Sequence, residues 1–386
     1  MACRGTVDED EHLVAVRVLV VNAGSSSLKL RLLDSDDELI AHHDLPALRG
    51  RADEAALAAV LSDLPAADAI GHRIVHGGPR YQKAVRLDAR VLQDLRALSD
   101  LAPLHQPPAL EAQALVERSL PGLPSVACFD TAFHATLPAA AFTYALPRPW
   151  RERWPLRRYG FHGLSHAYAT RRAGQLLGQP AEELQIVTCH LGAGASLCAV
   201  QAGRSIDTTM GFTPLDGLVM ATRAGSVDPG LLLWLLEHER LETGALAHAL
   251  EYESGLAGLA GSADMREVLA RAEDGDGDAK LALDVYVHRL RAGIAAMAVA
   301  LDALDALVFT GGVGEQAHTV RAMTAEGLGQ LGIALDSDRN ASSNTDADIG
   351  APDARVRTLV VTAREDIEIA HQVRHLLGGI PKPGVT

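Results

Sequence analysis

One pattern occurs twice in this chain and limits its architecture more than any other feature. Residues 14–21 (VAVRVLVV) form an aliphatic, largely β-branched run. The small-residue turn 22–27 (NAGSSS) follows, then a second strand-like run at 28–33 (LKLRLL). The plan returns at 186–200, where IVTCH leads into LGAGAS and then LCAV. The two turns lie about 170 residues apart, a spacing that reads as a duplicated unit of the βββαβα type. Helical stretches with caps or stops are expected between and after them, at 53–61, 88–99, 107–119, 165–177, 230–240, 263–272 and 281–301, with a further strand at 306–310. Strands alternating with helices argue an α/β fold.

Composition agrees with a folded, two-domain chain. The 386 residues exceed the usual domain size, and 48% hydrophobic with 22% charged residues is ordinary for a globular protein. Acids outnumber bases by 49 to 35, a net charge of −14, which excludes a wide electropositive footprint for nucleic acid or an anionic membrane. The four cysteines form neither a disulfide framework nor a CxxC zinc pattern, so buried free thiols are expected. The acidic N-terminus does not resemble a secretory signal, and no apolar run approaches the roughly 18 residues of a membrane span. A cytoplasmic protein with a flexible leader at 1–13 is the expectation. The Pro- and Arg-rich stretch 146–158 is the candidate linker.

Several segments have the make-up of ligand sites. Small side chains and backbone N–H groups in a tight turn admit phosphate, and the 22–27 turn adds serines, an asparagine and, shortly after, Lys29. A plain turn fits the same residues. No lysine stands in the GK[ST] context of a Walker loop, and neither glycine cluster completes GxGxxG. The segment 310–315 (TGGVGE) follows a strand and precedes a helix-like stretch, as a nucleotide phosphate or ribose would require. In 71–78 (GHRIVHGG) strand parity puts Arg73 and Val75 on one face and His72, Ile74 and His76 on the other. A guanidinium beside an apolar wall suits a small carboxylate, although an edge strand with an exposed arginine reads equally from these residues. His162 and His166 have the i, i+4 spacing of a metal pair, but no third ligand is placed and the zincin glutamate is missing. The acidic run 273–278 lacks the ligand spacing of a calcium loop and reads as solvated.

Taken together, LVVNAGSSSLKL, GHRIVHGG, LAPLHQPPAL, FDTAFH, YGFHGLSH, HLGAGAS, DTTMGFTPLDGLVMATRAGSVDPG, ESGLAGLAG, ADMREV and FTGGVGE resemble the acetate kinase family, in order and across nearly the whole chain. The resemblance implies two ribonuclease H-like domains of the acetate and sugar kinase, heat-shock chaperone and actin superfamily, with the active site in the cleft between them. The domains would span 14–150 plus 367–386 and 151–366. It further implies a homodimer that converts ATP and acetate to ADP and acetyl phosphate, reversibly, with magnesium or manganese.

Site residues follow from the same resemblance. Asn22 and Glu365 match the metal-associated positions, and Ser25, Ser27 and Lys29 the first phosphate loop. Arg73 and Arg223 match the two arginines that hold the carboxylate and the phosphoryl group in flight. Asp130 and His162 match the polar pair of the site. His105 lies beside that pair, while Val75, Leu104, Phe161 and Pro214 match the pocket for the acetate methyl. The nucleotide segments correspond to His190, Leu191, Gly192, Ala193 and Gly194, to Asp264, Met265 and Arg266, and to Gly312, Val313, Gly314, Glu315 and Gln316. Two departures stand out: Ala193 replaces a usual asparagine, and 363–366 (ARED) replaces TNEE. Alternatives at this stage are a propionate-preferring enzyme, a pyrophosphate-dependent one, and a non-catalytic regulatory relative.

Overall fold

The computed structural model describes residues 16–24, 27–48, 51–102, 106–343 and 345–378. The expected leader, Ser25, Leu104 and His105 lie outside them. Each half of the chain builds one sheet. The first contains β1 (Val18–Ala23), β2 (Ser27–Leu33), β3 (Leu39–Leu48), β4 (Arg51–Ala52), β5 (Ala69–Ile74), β6 (Val85–Arg86) and β7 (Ser125–Phe129), in the order β4-β3-β2-β1-β5-β7-β6. The second contains β8 (Gln185–Leu191), β9 (Ala195–Gln201), β10 (Arg204–Thr208), β11 (Ala306–Thr310), β12 (Ala347–Asp348) and β13 (Arg357–Val360), in the order β10-β9-β8-β11-β13-β12.

The duplication expected from the sequence is present in the pairing. In each sheet a three-stranded antiparallel meander continues through its first strand into two parallel strands: β1 into β5 and β7, β8 into β11 and β13. In the first hairpin the small residues let the chain reverse tightly, with the Gly24 N–H donating to the Ser27 carbonyl at 2.8 Å. The central strands are buried almost throughout, because helices cover both faces of the parallel portion.

Two helices tie the halves together. The C-terminal helix Glu365–Leu377 packs Ile369, Ala370 and Val373 onto Val18, Val20 and Val126 of the first sheet. Gly71 of β5 permits that approach, since a Cβ there would lie 2.4 Å from a methyl of Ile369. The helix Gly163–Leu177 contributes Leu164 to this cluster and Ala169 and Ala173 to the core of the second sheet. Its Arg171 pairs with the buried Glu368 of the C-terminal helix.

The linker expectation needs correction. Residues 148–153 form a short helix, Arg157 lies over the Phe142 ring at 3.9 Å, and Arg158 donates to the carbonyls of Thr208 and Thr209 at 3.0 and 2.7 Å. Arginine stems and planar guanidinium groups pack on neighbouring surface, so the stretch is attached to the second sheet despite its polar composition. The acidic run 273–278 contains the start of a helix, with Asp276 accepting from the N–H groups of Asp278 and Ala279. No helix among the described residues is long and apolar enough to cross a membrane.

Candidate active site

The parallel strands β1, β5 and β7 end at one edge of the first sheet, where open α/β sheets place ligands. Asn22, Arg73 and Asp130 come from those ends, and Glu365 from the first turn of the C-terminal helix. They form a connected set. Arg73 donates through Nε and Nη2 to the two oxygens of Asp130 at 2.9 and 2.6 Å, and through Nη1 to Asn22 Oδ1 at 3.1 Å. Asn22 Nδ2 then donates to Glu365 Oε2 at 3.1 Å, and Glu365 lies 3.6 Å from Arg73. A bidentate carboxylate fixes the guanidinium plane.

Electrostatics hold Arg73 and Glu365 in their charged forms. Burial opposes the Arg73 charge, but Asp130 and Glu365 more than offset it and the pKa is raised. Burial likewise opposes the Glu365 carboxylate, yet Arg73, His190 and the bond from Asn22 hold its pKa below the usual value. For Asp130 burial outweighs the attraction of Arg73, and its pKa is raised. Lys29 projects from β2 opposite Asn22 in the hairpin register, exposed, and Ser27 lies at the turn.

A second group of side chains comes from β8, β9, the loop beyond β10 and the start of the helix Gly163–Leu177. His162 sits in the left-handed region at φ 56°, immediately before the helix Gly163–Leu177. Such a conformation costs about 1–3 kcal/mol in a non-glycine residue and marks positions fixed by their surroundings. Its ring lies 4.3 Å from that of His190, and its Nδ1 is 2.9 Å from Ser196 Oγ. His190 Nδ1 is 2.8 Å from Ser165 Oγ. Arg223 donates to the carbonyl of Pro214 at 2.8 Å. Gly194 lies between Arg223 and His162: a Cβ there would be 2.7 Å from Arg223 Nη2 and 3.2 Å from His162 Nε2. Burial, followed by His190, Arg73, His166 and Arg223, pushes the His162 pKa well down, so the ring is neutral. Val75 and Phe161 are both buried in one apolar cluster that continues into the core of the second sheet.

Next to this group lies a cavity of about 580 Å³. It brings together Gly192, Ala193, Asp264, Met265 and Arg266 with Gly312, Val313 and Gln316. Leu191 is fully buried in β8, away from the cavity lining, and Gly314 packs against β8 and β11. Glu315 accepts from the Ala363 N–H at 3.0 Å, while buried Arg321 donates to the carbonyls of Gly314 and Glu315 at 2.9 and 2.6 Å. These last contacts hold the 310–316 turn in place. Sequence reasoning gave no role to Tyr286, which lines the cavity from the long helix Gly277–Val299; its hydroxyl is buried with no partner among the described residues. Ser165, His166 and Ser196 were likewise inside quoted motifs without an assigned part.

Among the described residues no three His, Cys, Asp or Glu side chains are grouped to hold a metal ion. His166 cannot complete a pair with His162, because both its ring nitrogens already contact hydroxyls. Magnesium has different needs: it keeps water and phosphate oxygens and takes one or two protein oxygens. An ionised, partly buried carboxylate and an adjacent amide oxygen, Glu365 and Asn22, fit that requirement.

Known proteins resemble the chain throughout this region. The acetokinase family model matches residues 40–371. An acetate kinase of Gloeobacter violaceus is 50% identical over 81% of this chain and 78% of its own length. One from Acetivibrio thermocellus is 39% identical over 94% and 99%. Among solved structures, the acetate kinase of Porphyromonas gingivalis superposes with a TM-score of 0.86 at 34% identity, covering 94% of this chain and all of that one. A propionate kinase of Francisella tularensis also gives 0.86 at 34%, covering 92% and 98%. With the motifs, the duplicated sheets and the converging arginines in agreement, the chain belongs to the acetokinase family.

Proposed function

We propose that this protein transfers the γ-phosphoryl group of ATP directly to acetate, reversibly, giving acetyl phosphate and ADP. The observation that carries the reading is that two guanidinium groups flank His162: the Gly163 N–H donates to the carbonyl of Asp130, the partner of Arg73, at 2.8 Å, and a Cβ at Gly194 would lie 2.7 Å from Arg223 Nη2 and 3.2 Å from His162 Nε2. The attacking acetate oxygen is already an anion, so no general base is needed. The barrier is charge repulsion and alignment. Arg73, held by Asp130, orients the carboxylate; Arg223 meets the phosphoryl oxygens; His162 donates to the charge spread over them. Val75, Phe161 and Pro214 enclose the acetate methyl, and the family resemblance assigns Leu104 and His105 to the same pocket. The 580 Å³ cavity receives the nucleotide, and the family resemblance assigns Ser25, Ser27 and Lys29 to its phosphates. Bound Mg²⁺ would be held by Glu365 and Asn22, directly or through water, and would neutralise phosphate charge.

The functional unit in this reading is a cytoplasmic homodimer. The helix Pro229–His238 buries none of its residues, and Leu231, Leu233 and Trp234 lie 48%, 59% and 47% exposed. Val227 and Leu241 extend the patch, and a second copy would cover it. Domains spanning 14–150 plus 367–386 and 151–366 would then close on the substrates.

Acyl-phosphate formation from acetate, propionate and butyrate, each with ATP, GTP and pyrophosphate, tests the activity. Acetate with ATP should give the highest kcat/KM. Propionate is the second reading, favoured by the equal likeness to the Francisella propionate kinase. Turnover with pyrophosphate alone would overturn the ATP assignment. Sedimentation of Trp234→Glu tests the dimer, which should dissociate.

A further inference from the structure

Behind His162 lies a chain of hydrogen-bonding groups that the transfer reaction leaves unassigned. Ser196 Oγ is 2.9 Å from His162 Nδ1 and 2.9 Å from His166 Nε2. His166 Nδ1 is in turn 2.7 Å from Thr188 Oγ1. Ser196, His166 and Thr188 expose no surface at all, so water cannot substitute for any member. Each hydroxyl has one proton and each neutral imidazole one N–H, which leaves the array only two polarities. In one, Thr188 gives its proton to the Cys198 carbonyl, and every later donor points toward His166 and Thr188. His162 then donates through Nδ1 and presents a bare Nε2 lone pair. In the other, Thr188 donates to His166 Nδ1, His166 Nε2–H to Ser196, and Ser196 to His162 Nδ1, so that Nε2 carries the proton. The distances fit both: at 2.7 Å either Thr188 or His166 Nδ1–H can be the donor, and Thr188 Oγ1 lies 3.5 Å from the Cys198 carbonyl. The choice falls to what Nε2 faces.

We infer that Ser196, His166 and Thr188 are positioning residues which fix His162 in the tautomer with its proton on Nε2, directed at the side where Gly194 and Arg223 lie. This rests on the reading of His162 as a donor to the phosphoryl group. A lone pair facing phosphoryl oxygens would repel them, whereas an N–H stabilises their growing charge and needs no reorganisation during transfer. Serine proteases fix their imidazole with a buried carboxylate. Here a neutral relay performs the same task beside two arginines, where a carboxylate would compete for the guanidinium groups.

The test uses the full-length enzyme and four variants. His162→Ala should lower kcat by about 100-fold, the usual loss for a preorganised donor. Ser196→Ala leaves the His162 ring in place and should lower kcat about tenfold, with KM for acetate and ATP within about twofold of wild type. His166→Leu should fall about as far as Ser196→Ala, while His166→Gln, whose amide N–H reaches toward Ser196, should recover most of that loss. Nitrogen NMR of ¹⁵N-histidine protein, with His162 identified by its absence in His162→Ala, should show the proton on Nε2 in wild type and a mixture of tautomers in Ser196→Ala. A wild-type kcat in Ser196→Ala alongside a slow His162→Ala would overturn the relay. So would a His162 proton on Nδ1. If His162→Ala itself turns over normally, the donor reading fails, and the NMR result still decides the tautomer.

Discussion

At the scale of single residues, the site separates groups that must stay charged from groups that must stay neutral. Arg73 is flanked by two carboxylates that sustain its charge, whereas Arg223 has its pKa lowered by burial and is drawn back by Glu251. An incoming anion therefore gains most at Arg223, where compensation is weakest. Replacing either arginine by alanine should lower kcat by roughly 100-fold or more in the acyl-phosphate assay. A near-normal kcat with only a raised KM would show that the arginines bind ground state and transition state alike. Lysine should not rescue position 73, because the Asp130 contact is bidentate. Ala193, where the chain departs from its family, is exposed on the rim of the nucleotide cavity. Its carbonyl is engaged by the Ala221 N–H at 3.1 Å, so the backbone is fixed while the side chain has room to lengthen. Ala193→Asn adds one donor of about 0.5–1.5 kcal/mol, which should lower KM for ATP severalfold and leave KM for acetate unchanged. Unchanged KM for ATP would mean that the donor phosphates lie elsewhere.

At the scale of elements, the proposed acyl pocket makes specificity a matter of strand register. Parity places Val75 on the side of Arg73, and although β5 ends at Ile74, Val75 is buried against Phe161 just beyond it. Removing two methyl groups with Val75→Ala should shift kcat/KM toward propionate about tenfold, the scale on which a pocket discriminates one methylene. An unaltered acetate-to-propionate ratio would put the wall elsewhere. This parity was readable in the sequence, as were the two meanders, because a period of two and long aliphatic runs are local signals. The helices 89–97, 106–119 and 163–177 were readable too, from Asp88, the paired prolines and Gly178. What escaped were features that depend on a partner remote in sequence. Residues 146–158 read as a linker because their composition is polar, yet Phe142 and the carbonyls of β10 give those arginines somewhere to pack. The relay behind His162 joins residues from one helix and two strands, and Tyr286 enters the cavity from a helix with no motif of its own. No spacing rule connects such residues; only the packing of the sheets does.

At the scale of the whole molecule, burial of several histidines couples the fold to pH. His72, on β5, has both ring nitrogens without partners among the described residues, and burial pushes its pKa down to about 3. Burial lowers His76 to about 4, and His134, despite its bond to the Phe161 carbonyl, also to about 4. In the unfolded chain each titrates near 6.5. Below that value the unfolded state binds protons that the native state refuses, so stability is greatest above pH 6.5 and falls as pH drops toward 4. At pH 5 each of the three removes about 2 kcal/mol relative to pH 8, and His162, His166 and His190, all lowered by burial first, act in the same direction. Asp130 and Glu368, raised by burial, oppose this, because the native state takes up their protons above the ordinary carboxylate range. About 6 kcal/mol from three residues is a large part of the 5–15 kcal/mol that holds a typical domain together. Denaturant unfolding between pH 8 and 5 should therefore show the midpoint dropping steeply below pH 6.5, well above the range in which surface carboxylates protonate. His72→Leu replaces an unpartnered imidazole with an apolar side chain and should flatten that slope by one proton. A stability that is level from pH 7 to 5 would mean that these histidines are solvated or paired in solution.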